Sequence, residues 1–251
     1  SPNLSPSTRA TYLRVLRVVY GDHAATPVVV HDIYGKAYEG DRSKLQPTFD
    51  NKATVDELRF MARMVNATQD ATYRRSFDRG LTYVLSAQYA NGGWPQFFPL
   101  RKGYYDRITF NDGAMVRILQ FVREVATEKT YTFLEPKTRS ACLKAFDLGI
   151  ACILKCQIIV GGKPTVWCAQ HDEKTFAPAK ARSYELPSFS GSESVGIVRL
   201  LMSLENPSTE IRASIEGAVA WFQAHRIKGQ RLETTQTLVG KDLMMVPDPA
   251  A

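Results

Sequence analysis

The chain has 251 residues, which suits one large domain or two small ones, and 44% of these residues are hydrophobic while 23% are charged. This composition excludes an intrinsically disordered chain. The formal net charge of +7 favours an acidic partner, which could be nucleic acid, anionic lipid or an anionic polysaccharide. A basic surface with no specific partner is an equally good interpretation of the charge alone.

The N-terminal residues 1–6 carry neither the basic segment nor the apolar run of a signal peptide. No stretch of the sequence reaches the roughly 20 uninterrupted apolar residues that a membrane-spanning helix needs. We therefore expect a soluble chain from which any signal peptide is already absent.

Apolar residues at helical spacing predict three consecutive pairs of helices. The first pair covers 54–65 and 73–88, the second covers 114–126 and 143–157, and the third covers 193–204 and a segment around 215–222. If the three helical hairpins close around a common axis, they form a toroid. The predicted fold is therefore all-α, with long functional loops.

The second helices of these pairs share an internal repeat. The residues of the first copy recur in the second copy at one constant interval: Phe77, Gly80, Leu81 and Gln88 become Phe146, Gly149, Ile150 and Gln157. A third and weaker copy places Gly217 at the corresponding position. The repeat supports three related hairpins.

The loops that open the three pairs are also alike: 49–51 reads Phe-Asp-Asn, 110–113 reads Phe-Asn-Asp-Gly, and 189–192 reads Phe-Ser-Gly-Ser. Asp, Asn and Ser before a helix are typical N-caps. In a toroid the three loops gather at one end around a cleft. Asp50 and Asp112 then either cap their helices, which is the commoner role, or contribute to a functional site.

Two longer connections carry aromatic and polar residues. Residues 89–99 combine turn residues with large aromatic side chains, which suits a packed functional loop or a wall on which sugars stack. Residues 167–172 lead into 179–185, which is either a functional loop or a solvated basic surface. For His171 taken alone, a buried structural histidine is the preferred interpretation over a base or a ligand.

The four cysteines, Cys142, Cys152, Cys156 and Cys168, show no CxxC pair and no nearby histidine cluster, which argues against a zinc site. Cys152 and Cys156 are four residues apart on a predicted helix and are too constrained to pair easily. Buried free thiols are the expected state. One disulfide between a helix and the Cys168 loop is left open.

Five ordered motifs resemble the polysaccharide lyase family-ten pectate lyases. They run in unbroken order within residues 48–222, which makes the resemblance specific. The motifs are QYANGGWPQF at 88–97, GYYDRITFND at 103–112, WCAQH at 167–171, ARSYE at 181–185 and SGSESVG at 190–196. The resemblance implies an (α/α)₃ toroid, in agreement with the three predicted hairpins.

The resemblance also implies roles for individual residues. Asp50 matches the aspartate of the family's T-[IF]-D-N motif, Asp112 matches that of its F-N-D motif, and both are implied to bind Ca²⁺. Arg182 matches the arginine of the A-R-x-Y-E motif, which is the proposed catalytic base. We further expect Asn111, Lys180, Tyr184, Glu185 and His171 to bind substrate, with orientation of Arg182 as an alternative role for Tyr184 and Glu185.

The implied reaction is cleavage of α-1,4-polygalacturonate by calcium-assisted β-elimination. Removal of the C5 proton of galacturonate spreads negative charge into the C6 carboxylate, which a hard cation held by carboxylates can stabilise. The guanidinium group of arginine has a pKa above about 12, so only a small fraction of it is neutral at moderate pH. Ca²⁺ and Lys180 would disfavour the cationic form of Arg182, and an alkaline pH optimum is expected.

The sequence departs from the family pattern at both ends. Residues 1–47 do not match the family's N-terminal motif, and the W-x-R-F-Y and S-D-R-D-G motifs that follow a segment like 246–249 are absent. We therefore divide the chain into a poorly matched segment, 1–47, and a catalytic domain, 48–251, that lacks its C-terminal part.

Three other functions are weighed against this one. A degenerate, non-catalytic pectin-binding module would follow if the missing residues are essential. A glycoside hydrolase on a similar toroid would use Asp50 and Asp112 as its two carboxylates. A nucleic-acid binder ranks last, because the basic residues are scattered and accompany no known motif. The expected partner is polygalacturonate rather than nucleic acid or membrane, and the expected protein is a monomer secreted to the medium or the periplasm.

Overall fold

A computed structural model of the protein describes residues 48–237 and 240–250. The segment 1–47, which the motif analysis sets apart, lies outside the described residues. Helices dominate the described part, which contains α1 (Val55–Thr68), α2 (Ala71–Ser86), α3 (Ala114–Thr127), α4 (Pro136–Cys156), α5 (Gly191–Met202) and α6 (Thr209–Ala224). None of these helices is long and apolar enough to cross a membrane.

The six helices pack as three consecutive pairs, α1 on α2, α3 on α4 and α5 on α6. The three predicted helical hairpins are thus confirmed. Helices α4 and α6 begin well before the apolar pattern predicts, because local signals extend them. Pro136 stands in the first turn of α4, where its missing N–H leaves no donor unsatisfied, and Ser208 caps α6 by accepting a hydrogen bond from the Ile211 N–H at 3.3 Å.

The first helices of the pairs also contact one another, α1 against α3 and α3 against α5. Helix α3 is therefore the centre of the described core. Its buried side chains are Ala114, Met115, Val116, Ile118, Leu119, Phe121, Val122 and Val125. Burial of so much apolar surface is the main source of stability for the helical part.

The repeated glycines mark two points of close approach. A Cβ atom at Gly149 would lie 2.3 Å from Leu119 Cδ2, and one at Gly217 would lie 2.5 Å from the carbonyl oxygen of Pro164. Only a residue without a side chain allows α4 and α6 to approach their neighbours this closely.

The repeated glutamines connect successive hairpins. Gln88 Nε2 donates hydrogen bonds to the carbonyls of Gly92 (3.0 Å) and Ala145 (2.8 Å), the second of which lies in α4. Gln157 Nε2 donates in the same way to Thr165 (2.8 Å) and to Ser214 in α6 (2.9 Å). Each glutamine thus ties the loop behind its own helix to the second helix of the next pair.

Short strands accompany the helices. Antiparallel pairs join β1 (Ile108–Thr109) to β4 (Gln170–His171), β2 (Ile159–Val160) to β3 (Lys163–Pro164), and β5 (Gln230–Thr237) to β6 (Gly240–Pro247). The all-α prediction did not include these strands. Helical periodicity cannot detect the two-residue strands β1 to β4, and it does not register the local hairpin of β5 and β6, which follows the last helix.

All four cysteines are buried and free, as expected. The core also contains the two tryptophans of the long connections. Trp94 and Trp167 are fully buried, and their indole N–H groups donate to the carbonyls of Val84 (2.9 Å) and Ile153 (2.8 Å). Trp94 therefore packs the loop against α2 and is not part of a sugar-stacking wall.

Candidate active site

The loops that open the first two helix pairs have the same backbone conformation. Each is a short 3₁₀ turn that follows a buried phenylalanine, Phe49 or Phe110. The left-handed residue is Asn51 (φ 48°) in the first turn and Asp112 (φ 51°) in the second, and Asn and Asp tolerate this conformation better than most residues. Asp50 therefore corresponds to Asn111, and each turn presents one carboxylate and one amide in opposite order.

Neither aspartate caps an α-helix. The N-cap of α1 is Thr54 and that of α3 is Gly113. Asp50 Oδ1 accepts a hydrogen bond from the Asn51 N–H at 2.9 Å, and Asp112 Oδ2 accepts one from Asn111 Nδ2 at 2.8 Å. Capping, the common role weighed for these residues, thus does not account for either side chain.

The third opening loop brings a further carboxylate to the same end of the molecule. Ser190 precedes α5 and its hydroxyl donates to the carboxylate of Glu193, while the Ser190 N–H donates to the Trp167 carbonyl at 2.7 Å. The sequence analysis assigned no role to Glu193. Its S-x-x-E spacing is typical of a helix-capping box, so the pattern alone indicates a cap.

The three loops line one cleft with a volume of 430 Å³, as the toroid argument predicts for a common rim. Side chains from α3 and α5 complete its walls. The lining residues are Asn51, Lys52, Asp112, Gly113, Val116, Arg117, Gln120, Ser192, Glu193 and Gly196.

The cleft carries two carboxylates, Asp112 and Glu193, and two cationic side chains, Lys52 and Arg117. Partial burial raises the pKa of Asp112, and the negative charges of Asp50 and Glu193 raise it further, against the opposing effects of Asn111 and Arg117. A cation between the three loops would relieve this repulsion. Within the described residues, however, the acidic side chains are not close enough to form a ready-made metal cluster.

Gln96 holds the side chain of Asp50 by a hydrogen bond from the protein interior. The side chain is buried, its Nε2 donates to Asp50 Oδ2 at 3.1 Å, and its Oε1 has no hydrogen-bond partner. The backbone of Gln96 is itself fixed, because its carbonyl accepts from the Phe49 N–H at 3.0 Å and its N–H donates to the Tyr105 carbonyl at 3.0 Å.

Arg182 forms a two-pronged ion pair with Glu185. Arg182 Nε donates to Glu185 Oε2 at 2.8 Å, Nη2 donates to Oε1, and the Arg182 backbone N–H donates to Oε2 at 3.1 Å. The Tyr184 ring lies 5.1 Å from the guanidinium carbon. The hydrogen bonds to Glu185 raise the pKa of Arg182 above its ordinary value, so the guanidinium is cationic in this arrangement.

The segment that carries Arg182 is attached to the second opening loop. The N–H groups of Phe110 and Asn111 donate to the Ala169 carbonyl at 2.8 and 2.9 Å, and the Ala179 N–H donates to the Gln170 carbonyl at 2.9 Å. Strand β1 pairs with β4 just beside these contacts. Ala169, at the start of the segment that leads to Arg182, therefore lies next to Asn111.

Lys180 and Tyr184 are exposed on this segment, and 71% of the Tyr184 surface is accessible. Both side chains are free to contact a ligand from solution.

His171 lies beneath this surface and is completely buried. Its Nε2 accepts a hydrogen bond from the Cys168 N–H at 3.0 Å, and its Nδ1 lies 2.8 Å from the Phe176 carbonyl, which requires the proton on Nδ1. Burial lowers the pKa of His171 to about 4. Both ring nitrogens are bonded to the backbone, as in the structural histidine that the sequence favours, so a substrate-binding role for His171 stays a prediction.

Comparison with known proteins gives the family. The family model described as pectic acid lyase matches residues 24–251. The chain belongs to the pectic acid lyase family. The match begins within the segment 1–47, so the similarity to the family extends further towards the N-terminus than the five motifs do.

Two solved structures of a family 10 polysaccharide lyase from Cellvibrio cellulosa share the fold. One matches with a TM-score of 0.78 and 29% identity, covering 98% of this chain and 76% of that chain. The other, a single-substitution mutant in complex with trigalacturonic acid, matches with a TM-score of 0.76 and 30% identity, covering 97% and 77%. No curated protein sequence matched the chain. The protein is thus a polysaccharide lyase, and the hydrolase and nucleic-acid alternatives lose their support.

Proposed function

We propose that this lyase cleaves α-1,4-polygalacturonate by calcium-assisted β-elimination, with the bond to be cleaved held between the acidic cleft and Arg182. The observation that carries the proposal is the shared cleft of Asp112 and Glu193, in which the pKa of Asp112 is raised partly by the charges of Asp50 and Glu193. Asp112 and Glu193 line the opening and Asp50 lies close enough to act on Asp112, so the three carboxylates together favour a cation over an anionic sugar alone.

We further propose that the three hairpins close into an (α/α)₃ toroid. The serial contacts of α1, α3 and α5 support an inner ring, and the bonds from Gln88 to α4 and from Gln157 to α6 support an outer one. A toroid explains why three loops so far apart in the sequence open onto one cleft.

The oxygen donors on the rim suit Ca²⁺, which prefers carboxylate and amide oxygens in flexible arrangements. Asp50 and Asp112 would hold the ion, and Asn51 and Asn111 contribute amides from the opposite positions of the two turns. When bound, calcium would neutralise the C6 carboxylate of the sugar and stabilise charge that develops there during proton removal. Because the acidic groups do not form a closed cluster, the sugar carboxylate has room to complete the ligand set.

Arg182 is the proposed base at C5. In the structure it is held as a cation by Glu185, so this pair must open before Arg182 can accept a proton. Glu185 orients the guanidinium, and the loss of its hydrogen bonds lowers the pKa of Arg182 towards the working range. The requirement for a neutral guanidinium supports the expected alkaline pH optimum.

The exposed side chains near Arg182 are proposed to bind the polymer. Lys180 offers a cation to a sugar carboxylate, Tyr184 offers an aromatic face to a sugar ring, and Asn111 offers an amide beside Asp112. The complex of the related mutant with trigalacturonic acid supports oligogalacturonate as the ligand.

We also propose that the lyase is secreted and acts as a monomer. A polymeric substrate has to be cut where it occurs, outside the cell or in the periplasm. Light scattering of the purified protein would test the oligomeric state.

The direct test is an assay of polygalacturonate cleavage with calcium and with a chelator. Lyase activity produces an unsaturated uronide, which absorbs ultraviolet light, and the absorbance should rise only with calcium. New reducing ends without absorbance would identify a hydrolase. Binding without any cleavage would identify a non-catalytic pectin-binding module.

A further inference from the structure

The loop from Phe97 to Tyr105 lies directly against the acidic rim but has no part in the proposed reaction. Phe97 pairs with Thr48 in an isolated antiparallel bridge, two residues before Asp50. The other end of the loop is held by the hydrogen bond from the Gln96 N–H to the Tyr105 carbonyl at 3.0 Å. Both ends of this loop are therefore held next to the turn that carries Asp50.

Arg101 is an exposed cation on this loop that rests on two aromatic rings. Its guanidinium carbon lies 4.4 Å from the centre of the Tyr105 ring and 5.5 Å from that of Phe97. No carboxylate within the described part of the chain pairs with it. Contact with the rings fixes the position of the guanidinium and leaves its hydrogen-bond donors available for a ligand.

Tyr104 connects Arg101 to the proposed base. The rings of Tyr104 and Tyr105 are 4.0 Å apart, and each is partly exposed. A hydrogen bond to Tyr105 raises the pKa of Tyr104 to about 12. The negative charge of Glu185 also raises this pKa, and the positive charge of Arg182 lowers it. The two tyrosines thus form a continuous aromatic surface that begins under Arg101 and ends at Tyr104, on which the charge of Arg182 acts.

We propose that Arg101, Tyr104 and Tyr105 form an additional subsite for a galacturonate unit outside the bond that is cleaved. The Arg101 guanidinium binds the carboxylate of that unit in a two-pronged contact, and the tyrosine rings support the apolar face of the sugar. This inference rests on the proposed function, because the ligand is a polymer with one carboxylate on every unesterified sugar.

A purely structural role for Arg101 predicts different behaviour. A cation over a ring at an exposed position contributes only about 0.5–1 kcal/mol, so loss of the side chain should change folding little. A subsite predicts a defect that depends on substrate length and on the charge of the sugar.

The test compares Arg101→Gln with Arg75→Gln, which makes the same chemical change at an exposed position in the second turn of α2. Helix α2 begins at the end of its hairpin opposite the rim, so the control lies far from the cleft. Initial rates are measured in calcium buffer with oligogalacturonates from trigalacturonate to octagalacturonate, and melting curves verify that both variants fold.

For long oligomers, Arg101→Gln should raise KM about tenfold with kcat unchanged, as expected for the loss of a hydrogen-bonded charge pair. The defect should vanish for trigalacturonate. Arg75→Gln should match the parent protein throughout.

Two results would overturn the subsite. One is identical kinetics of Arg101→Gln and Arg75→Gln at every length. The other is an equal loss of kcat at every length, which would place Arg101 in the catalytic centre. If the parent protein forms no unsaturated product from any galacturonan, the proposed function itself fails, and the subsite fails with it.

Discussion

Gln96 and Asp50 are joined by a hydrogen bond of 3.1 Å from the buried amide Nε2 to Oδ2. The two residues are far apart in the sequence, and the bond, together with that from the Asn51 N–H to Oδ1, fixes the orientation of the carboxylate. Partners of this kind position metal-binding side chains and usually matter nearly as much as the ligands themselves.

Replacement of Gln96 by Leu should therefore weaken calcium binding about 10–100-fold with little change in stability. The variant loses a single hydrogen bond, since Gln96 Oε1 has no partner in the parent protein. Calcium affinity by titration calorimetry, together with the calcium concentration for half-maximal activity, measures the effect. Unchanged values in both experiments would show that Gln96 only fills space.

The acidic cleft predicts opposite effects of Asp112→Asn with and without calcium. The pKa of Asp112 is raised in the folded protein, so its ionised form is held there at a cost, and the neutral amide should leave the melting temperature without calcium equal or slightly higher. The stabilisation on adding calcium should be lost, as should most of the activity. Asp70→Asn, at the N-cap of α2, is the matched control and should keep its response to calcium. A normal calcium response in Asp112→Asn would exclude Asp112 as a ligand.

The ion pair of Arg182 with Glu185 predicts a shift in the pH profile. In Glu185→Gln the guanidinium loses the carboxylate that raises its pKa, so the neutral form becomes available at lower pH. If Arg182 is the base, the rising limb of kcat/KM against pH should move to lower pH, even if the maximal rate falls because Arg182 is less well oriented. A limb that stays in place would indicate that Arg182 acts as a cation throughout.

Arg182→Lys separates the contribution of Arg182 to substrate binding from its contribution to catalysis. A lysine retains a positive charge when protonated but loses the planar two-pronged geometry, so kcat should fall by orders of magnitude while KM changes little. A residue that only binds substrate predicts the reverse, with a raised KM and a largely retained kcat. Near-normal kcat would direct attention to Lys180, the exposed amine on the same segment.

His171 predicts how stability depends on pH. Its pKa is about 4 in the folded protein and 6.5 in the unfolded chain, so protonation favours unfolding as the pH falls from 6.5 towards 4. The loss should total about 3 kcal/mol. Glu57 acts in the opposite direction, because burial raises its pKa to about 7 and its protonation favours the folded state. The informative quantity is therefore the difference between the parent protein and His171→Gln.

Urea denaturation at several pH values between 4 and 7 measures that difference. The stability of the parent protein should decline relative to that of His171→Gln as the pH falls. Parallel curves would show that the histidine is not buried in its neutral form.

The sequence by itself determined the helical hairpins, because an amphipathic helix is a local pattern that its own residues specify. The repeat predicted that the hairpins are related, and the structure adds the reason. Gly149 permits a close contact between helices. Gln157 donates a hydrogen bond to α6 in the same way that Gln88 donates one to α4. The motifs also predicted the family, because five strings of residues in a fixed order can be recognised in a sequence without any knowledge of contacts.

The tertiary structure alone decided which side chains share the rim. Glu193 has the spacing of a helix cap, Gln96 stands in a loop whose partners are remote, and Arg101 becomes notable only once the rings beneath it are known. Conversely, Trp94 and His171 are residue types that often occur in binding sites, but both are buried and bonded to the backbone. Burial and non-local contacts depend on how distant segments pack, so no local pattern in the chain could distinguish these two groups.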